Sequence, residues 1–228
     1  PMKGFSKTRL AKDLGKETSL NLYCAFIKDF LKNLKKAQKS SEFFERIVGH
    51  LELFVTPPEN DSVTYFEKIL KDLEIDNFRV RFQAEKKFYE RLGEIFKEID
   101  SESENSFIHL TGTDIPDFPF NFLNEKLFSS LNVDDVIIGP DEDGGFYYLG
   151  MSSKYYNLFY SMSDKEFGRN SVFEELVNQC KKIGLRVRLL EKWSDIDTFL
   201  DLKKCIKRSN VLNIENTIRV CRDEGINL

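Results

Sequence analysis

Histidine is almost missing from this 228-residue chain, which has only His50 and His109, and its four cysteines, Cys24, Cys180, Cys205 and Cys221, form no CxxC pair. A tetrahedral zinc site needs clustered thiolate and imidazole donors, so a thiolate metal centre is not expected. Scattered single cysteines read instead as buried apolar side chains in a reducing, cytoplasmic setting. Positive charge is not in excess either. With 34 basic and 38 acidic residues the formal charge is -4, which provides no field to gather a nucleic-acid polymer. A small phosphate ligand needs only a local group of cations and stays admissible. No long apolar run or signal-peptide pattern is visible, so no membrane span is expected. Repeats and low-complexity linkers are also lacking, and the length suits one domain over residues 1–228 with a substantial core. The chain opens at Pro1 in a glycine-containing loop, and the first strand of the fold is expected upstream of it.

What is present is an ordinary globular balance, 41% hydrophobic and 32% charged, with 21 phenylalanines that bias the core toward aromatics. Leu20, Tyr23, Ile27, Phe30, Leu31 and Leu34 recur at helical spacing and predict an amphipathic helix over 18–37. Residues 50–56 predict a strand stopped by Pro57 and Pro58, and Val63 to Leu73 returns to helical period. Phe78 to Gln83 predicts a short strand, and Phe88, Leu92, Ile95, Phe96 and Ile99 line another helix. The apolar run 106–112 has the character of a strand covered on both faces. Residues 171–183 predict a helix, 185–190 a strand, and 199–208 and 214–222 two closing helices, the last stopped by Gly225. Alternating strands and helices predict an α/β fold with a doubly wound, mostly parallel sheet flanked by helices in three layers.

Four stretches carry candidate chemistry. Lys3, Lys7 and Arg9 surround Gly4 at the start, a plausible phosphate cradle, though without P-loop spacing and open to the plainer reading of a solvated basic segment. Asp114 follows the 106–112 run at its carboxyl end, where open α/β sheets bind ligands, but it could equally cap a helix beginning near Pro119. The stretch 136–150 holds Asp141, Glu142, Asp143, Gly144 and Gly145 between two apolar runs. It reads either as a surface hairpin or as a wall at which ligand approaches the glycine backbone. Asp195 and Asp197 precede Thr198, which forms a capping box with Asp201 that leaves the two earlier acids unexplained.

Together these stretches resemble a bacterial glycosyltransferase family of the GT-A, nucleotide-diphospho-sugar transferase fold. Residues 3–11 with Leu14 and Gly15 resemble its "PGxxKTRLA" opening, and 112–116 resemble "GSDxP". Residues 139–150 resemble "GPAxDGGYYLIG", and 195–198 with Asp201 and Leu202 resemble "DxDTxxDL". The likeness runs from the first residue to about Leu202. It departs at Lys87, Phe88 and Tyr89, where the family often has "DLG" before Glu-Arg, and at Phe167-Gly168, which stand for its Trp-Ser. The resemblance implies a nucleotide-sugar donor, an unidentified small-molecule or glycan acceptor, and a Mg2+ or Mn2+ ion held by Asp114 and Asp197. It further implies phosphate and nucleotide contacts from Lys3, Gly4, Lys7, Arg9, Gly144 and Gly145, with Asp143 as the catalytic residue that contacts the acceptor or takes its hydroxyl proton. The lone Asp of 112–116 also resembles the "GDxP" of nucleotidyltransferases, and Asp197-Thr198 the "DT" of sugar-acid cytidylyltransferases. These would use a nucleoside triphosphate and release pyrophosphate. A degenerate nucleotide-binding or interaction protein is the third alternative.

Overall fold

The structure is a computed structural model and describes residues 7–40, 42–47, 49–56, 60–162 and 172–227. Among the described residues, helices α1 (Thr8–Leu14), α2 (Lys16–Ser40), α3 (Glu42–Ile47), α4 (Asn60–Asp72), α5 (Phe88–Glu102), α6 (Glu125–Phe128), α7 (Asn157–Tyr160), α8 (Val172–Lys182), α9 (Phe199–Arg208) and α10 (Glu215–Asp223) are interspersed with six strands. These are β1 (Leu51–Val55), β2 (Phe78–Phe82), β3 (Phe107–Thr111), β4 (Asp135–Pro140), β5 (Phe146–Ser152) and β6 (Arg186–Leu189). The described residues fall into two compact units. One lies within Pro1–Phe82, Thr113–Asn124 and Asp195–Leu228, the other within Gln83–Gly112 and Glu125–Ser194.

In the first unit α4 links β1 to β2, which pair in parallel with Leu51 opposite Phe78 and Val55 opposite Phe82. The expected strand stop at Pro57 and Pro58 lies outside the described residues. The dominant helix is α2, longer than its apolar stripe predicts. It buries Leu22, Phe26, Ile27, Phe30, Leu31 and Leu34, which recur every three or four residues. Leu22 and Phe26 join Leu10 of α1, Ile196, Leu202 and Cys205 of α9, and Cys221 of α10 in one cluster. Asp29 breaks this apolar face because it caps α10. Its carboxylate accepts from the backbone N–H and side-chain Nδ2 of Asn216 at 3.1 and 2.7 Å, and from the N–H and hydroxyl of Thr217 at 2.8 and 2.7 Å. Burial pushes this carboxyl above its usual range, while the hydrogen bonds pull it back down. Gly15, at φ 85°, makes the sharp joint between α1 and α2 that a side chain would resist. The capping box before α9 is as the sequence implied: Thr198 and Asp201 bond each other's backbone reciprocally.

The second unit holds a four-stranded sheet in the order β3-β5-β4-β6. Strands β4 and β5 occupy its centre and are buried almost throughout. They form the expected hairpin, Ile138 opposite Leu149, with a register shift at Gly139/Pro140, where proline has no N–H to give the ladder. The ring of Tyr147 lies over Gly139, whose missing side chain leaves room for it. One expectation needs refinement. The α/β architecture with flanking helices holds, but of the four strand pairings only β1–β2 and β4–β6 are parallel. Strand β3 runs antiparallel to β5, because β5 is the return arm of the hairpin and β3 adds to its free edge. An unbroken apolar run does not reveal direction, and β3 is only partly buried at Phe107, His109, Leu110 and Thr111.

Two polar groups hold this sheet, one on buried Asp135 and one on partly buried His109. Asp135 opens β4 and accepts from Arg186 at 2.6 and 2.8 Å and from Arg188 at 2.9 Å, both on neighbouring β6. These bonds, with Arg186 first, hold its carboxyl below the usual range. His109 Nδ1 meets the Tyr148 hydroxyl at 2.6 Å across the β3–β5 ladder. Burial pushes its imidazole from 6.5 down to about 4.

Asp135→Asn is expected to cost about 2 kcal/mol at neutral pH, less than a fully enclosed ion pair because Arg186 is largely exposed. The contribution is complete above the unfolded carboxyl's pKa and is lost as pH falls through the lowered native value, so urea midpoints of variant and native chain should converge in acid. For His109 the sign is also acid-destabilising, in a higher window. The unfolded chain takes a proton near 6.5, and the folded chain resists it until about 4. Between about pH 7 and pH 4.5 the native chain should lose roughly 2 kcal/mol that a His109→Phe, Tyr148→Phe double variant does not lose, as read by urea titration.

Candidate functional site

Lys7 precedes α1 in the left-handed conformation, φ 51° and ψ 51°, at a cost of about 1 kcal/mol for a non-glycine residue. Its carbonyl is pinned twice, accepting from Ala11 N–H at 2.9 Å and from the Ser19 hydroxyl at 3.1 Å. Leu10 ties α1 into the core beside Ile196 and Leu202, and Asp13 accepts from Phe199 N–H at the start of α9. The opening of α1 is thereby set against the segment 195–197. There Ile196 is fully buried and the alternation of an extended chain leaves Asp195 and Asp197 on the opposite side from it. Ile196 N–H donates to the Asp114 carbonyl at 3.2 Å. The loop carrying Asp114 is anchored further by Asn33 Nδ2 on the Pro116 carbonyl at 2.8 Å, and by Arg208 and Ser209 on Asp117.

These anchors converge on one cluster. One oxygen from each of Asp114, Asp195 and Asp197 lies within 4.8 Å of the others. Lys7 Nζ sits among them, 2.7 Å from Asp114 Oδ2, 3.6 Å from Asp195 Oδ2 and 2.7 Å from Asp197 Oδ1. Its side chain is 7% exposed, whereas the acids keep 25%, 28% and 33%. Burial alone would lower the lysine's pKa, but the combined attraction of the three acids prevails and holds it charged far above its ordinary range. Arg9 reaches Asp197 Oδ2 at 3.1 Å and is otherwise open, 61% exposed. Tyr23 closes the inner side, its hydroxyl 3.2 Å from Thr113 Oγ1, and its phenol is pushed upward by burial and then by the Asp114 charge. Three carboxylates facing two cations retain net negative charge. An all-oxygen donor set of this kind fits a hard divalent cation and not a soft one.

Of the expected site residues, the structure brings together Asp114, Asp197, Lys7 and Arg9. It adds Asp195, whose signal in the sequence was its spacing of two from Asp197. Lys7 lies among the acids, and Lys3 and Gly4 fall outside the described residues. Asp114 does not cap a helix near Pro119. Only a 3-10 turn, Phe120–Phe122, follows, and it has no side-chain cap.

Asp143, Gly144 and Gly145 belong to the second unit, where they build the hairpin turn. Gly144 takes φ 95°, Gly145 N–H donates to Asp143 Oδ1 at 3.1 Å, and Asp143 N–H donates to Asp141 Oδ1 at 3.3 Å. Asp141, which the sequence placed in a surface hairpin or a ligand-facing wall, is buried and bridges to Trp193. These contacts give Asp143 a structural part in the turn. Phe167 and Gly168 lie outside the described residues.

The chain is similar over 98% of its length to 94% of the crystal structure of a "putative nucleotide-diphospho-sugar transferase" from Desulfovibrio desulfuricans G20, with 24% sequence identity and a TM-score of 0.72. The fold is therefore a mixed α/β fold, helices flanking sheets, of the kind seen in that protein. No curated protein matches the chain by sequence. No helix among the described residues is long and apolar enough to cross a membrane. A family model matches residues 41–164, more than half of the chain, and on that match the chain belongs to the family described as "Uncharacterized protein conserved in bacteria (DUF2064)".

Proposed function

We propose that this protein is a metal-dependent transferase acting on a nucleotide-diphospho-sugar, with Asp114, Asp195 and Asp197 holding Mg2+ or Mn2+. The observation that carries this reading is the convergence of three carboxylates from two distant segments onto one point, beside two cations. The fold shared with the Desulfovibrio protein, and that protein's name, agree with it. A divalent cation there would neutralise the diphosphate and ease departure of the nucleoside diphosphate. Arg9, exposed apart from its bond to Asp197, has donors left for a phosphate oxygen. Tyr23 and the apolar cluster behind Leu10 exclude water from the inner side, which strengthens every charge interaction in the cluster. Asp143 receives no step in this assignment.

A second reading shares the same site. Asp114 comes alone from one segment and meets a pair from another, an arrangement equally suited to nucleotidyl transfer from a triphosphate. The products separate the two: a nucleoside diphosphate for glycosyl transfer, pyrophosphate for nucleotidyl transfer.

Thermal-shift titration with UDP, GDP, CDP and nucleoside triphosphates, each with and without Mn2+, should reveal at least one nucleotide that raises the melting temperature only with the metal, since a ligand at about a hundred times its Kd adds about 2.7 kcal/mol. Asp114→Asn should keep the fold and weaken that metal-dependent binding at least about tenfold. Absence of any metal-dependent shift would overturn both transferase readings and leave the acids as a structural seat for Lys7.

A further inference from the structure

We propose that Lys7 is a tethered stand-in for the metal of its own site: its ammonium fills the cation position among Asp114, Asp195 and Asp197, and it leaves for a diphosphate oxygen when the divalent ion arrives. The inference rests on the metal reading above and adds a competition that the reading does not require.

Three observations lead to it. The first is position. Nζ touches one oxygen of each of two acids at 2.7 Å and stands 3.6 Å from the third. These acids are the same three whose ligand atoms share a sphere of 4.8 Å. A divalent cation draws carboxylate oxygens to about 2.0 to 2.6 Å, so ammonium and metal would claim one volume.

The second is charge. With Lys7 and Arg9 in place, the three carboxylates keep a formal excess of one negative charge. A divalent ion added on top would turn the half-buried cluster positive. An ion exchanged for Lys7 leaves the cluster neutral and frees the ammonium for a negatively charged ligand.

The third is mobility. The backbone of Lys7 is fixed by Ala11 and Ser19, so exchange falls to the flexible four-carbon stem, which carries a compact charge without fixed fork geometry. Seated Lys7 thereby leaves the cluster with a single excess negative charge while no ligand is bound, and metal and diphosphate become mutually dependent for entry. If the metal-ready form, with Lys7 withdrawn, makes up a tenth of the population or less, apparent metal affinity falls by that fraction.

Mn2+ binding followed by electron paramagnetic resonance tests this, with Mn2+ alone and with Mn2+ plus inorganic pyrophosphate as the diphosphate probe. Lys7→Met should bind Mn2+ alone at least about tenfold more tightly than the native chain. Pyrophosphate should tighten Mn2+ binding in the native chain and have much less effect in the variant. Equal or weaker Mn2+ binding by Lys7→Met overturns the competition and leaves the metal reading standing. Failure of both proteins to bind Mn2+ in either condition overturns the metal reading, and the inference with it. If bare carboxylates prevent Lys7→Met from folding, Lys7→Arg serves in its place. Its guanidinium can grip a carboxylate in two places, so Mn2+ should bind more weakly than to the native chain. Unchanged or tighter binding overturns the inference.

Discussion

Like charges confined to a small volume must be compensated, and three aspartates within 4.8 Å of one another are the constraint around which the first unit is arranged. Lys7 supplies the compensation from within the chain, and much of the local structure serves to bring it there. Its left-handed backbone, the double anchoring of its carbonyl, the tight joint at Gly15 and the burial of Leu10 and Ile196 all fix where the ammonium and the acids meet. Only the lysine is enclosed. The acids keep a quarter to a third of their exposure, so the cluster combines a sheltered cation with oxygens that a solvent-borne ligand can reach.

The second unit solves a different problem, that of holding a sheet with two nearly dry central strands in register. Its polar devices lie on the strands: Asp135 with two arginines of β6, and His109 with Tyr148. The acidic Gly-Gly hairpin, prominent in the sequence, belongs to the same architecture. Its acids and glycines largely bond each other and set the turn between the two central strands. Density of unusual residues marked a demanding turn there, whereas the candidate chemistry is concentrated in the first unit.

Much of this was legible in the sequence, for identifiable reasons. The apolar stripe of α2 and the Thr198/Asp201 box are local patterns, and both appear where the pattern put them. Asp114 and Asp197 were singled out because Asp114 stands at the carboxyl end of an apolar strand run, the Thr198/Asp201 box leaves Asp197 unexplained, and both lie in stretches that resemble a family's motifs. Three things were not legible. Strand direction depends on partners far along the chain, so β3 gave no sign of its antiparallel pairing with β5. Asp195 was noticed without a role, because the burial of Ile196 that aligns it with Asp197 is a tertiary fact. The seat of Lys7 depends on contacts across nearly two hundred residues, and a basic residue near a glycine suggests phosphate more readily than it suggests a remote carboxylate.

The role proposed for the Asp114, Asp195 and Asp197 cluster is that of a divalent-cation site for a diphosphate ligand, held by Lys7 until that ligand comes. An anomalous difference map from crystals soaked with Mn2+ and a nucleoside diphosphate tests it most directly. A manganese peak should appear among the three carboxylates, with Lys7 Nζ withdrawn toward a phosphate oxygen. A map with manganese elsewhere or absent, and Lys7 still seated on the acids, would contradict it.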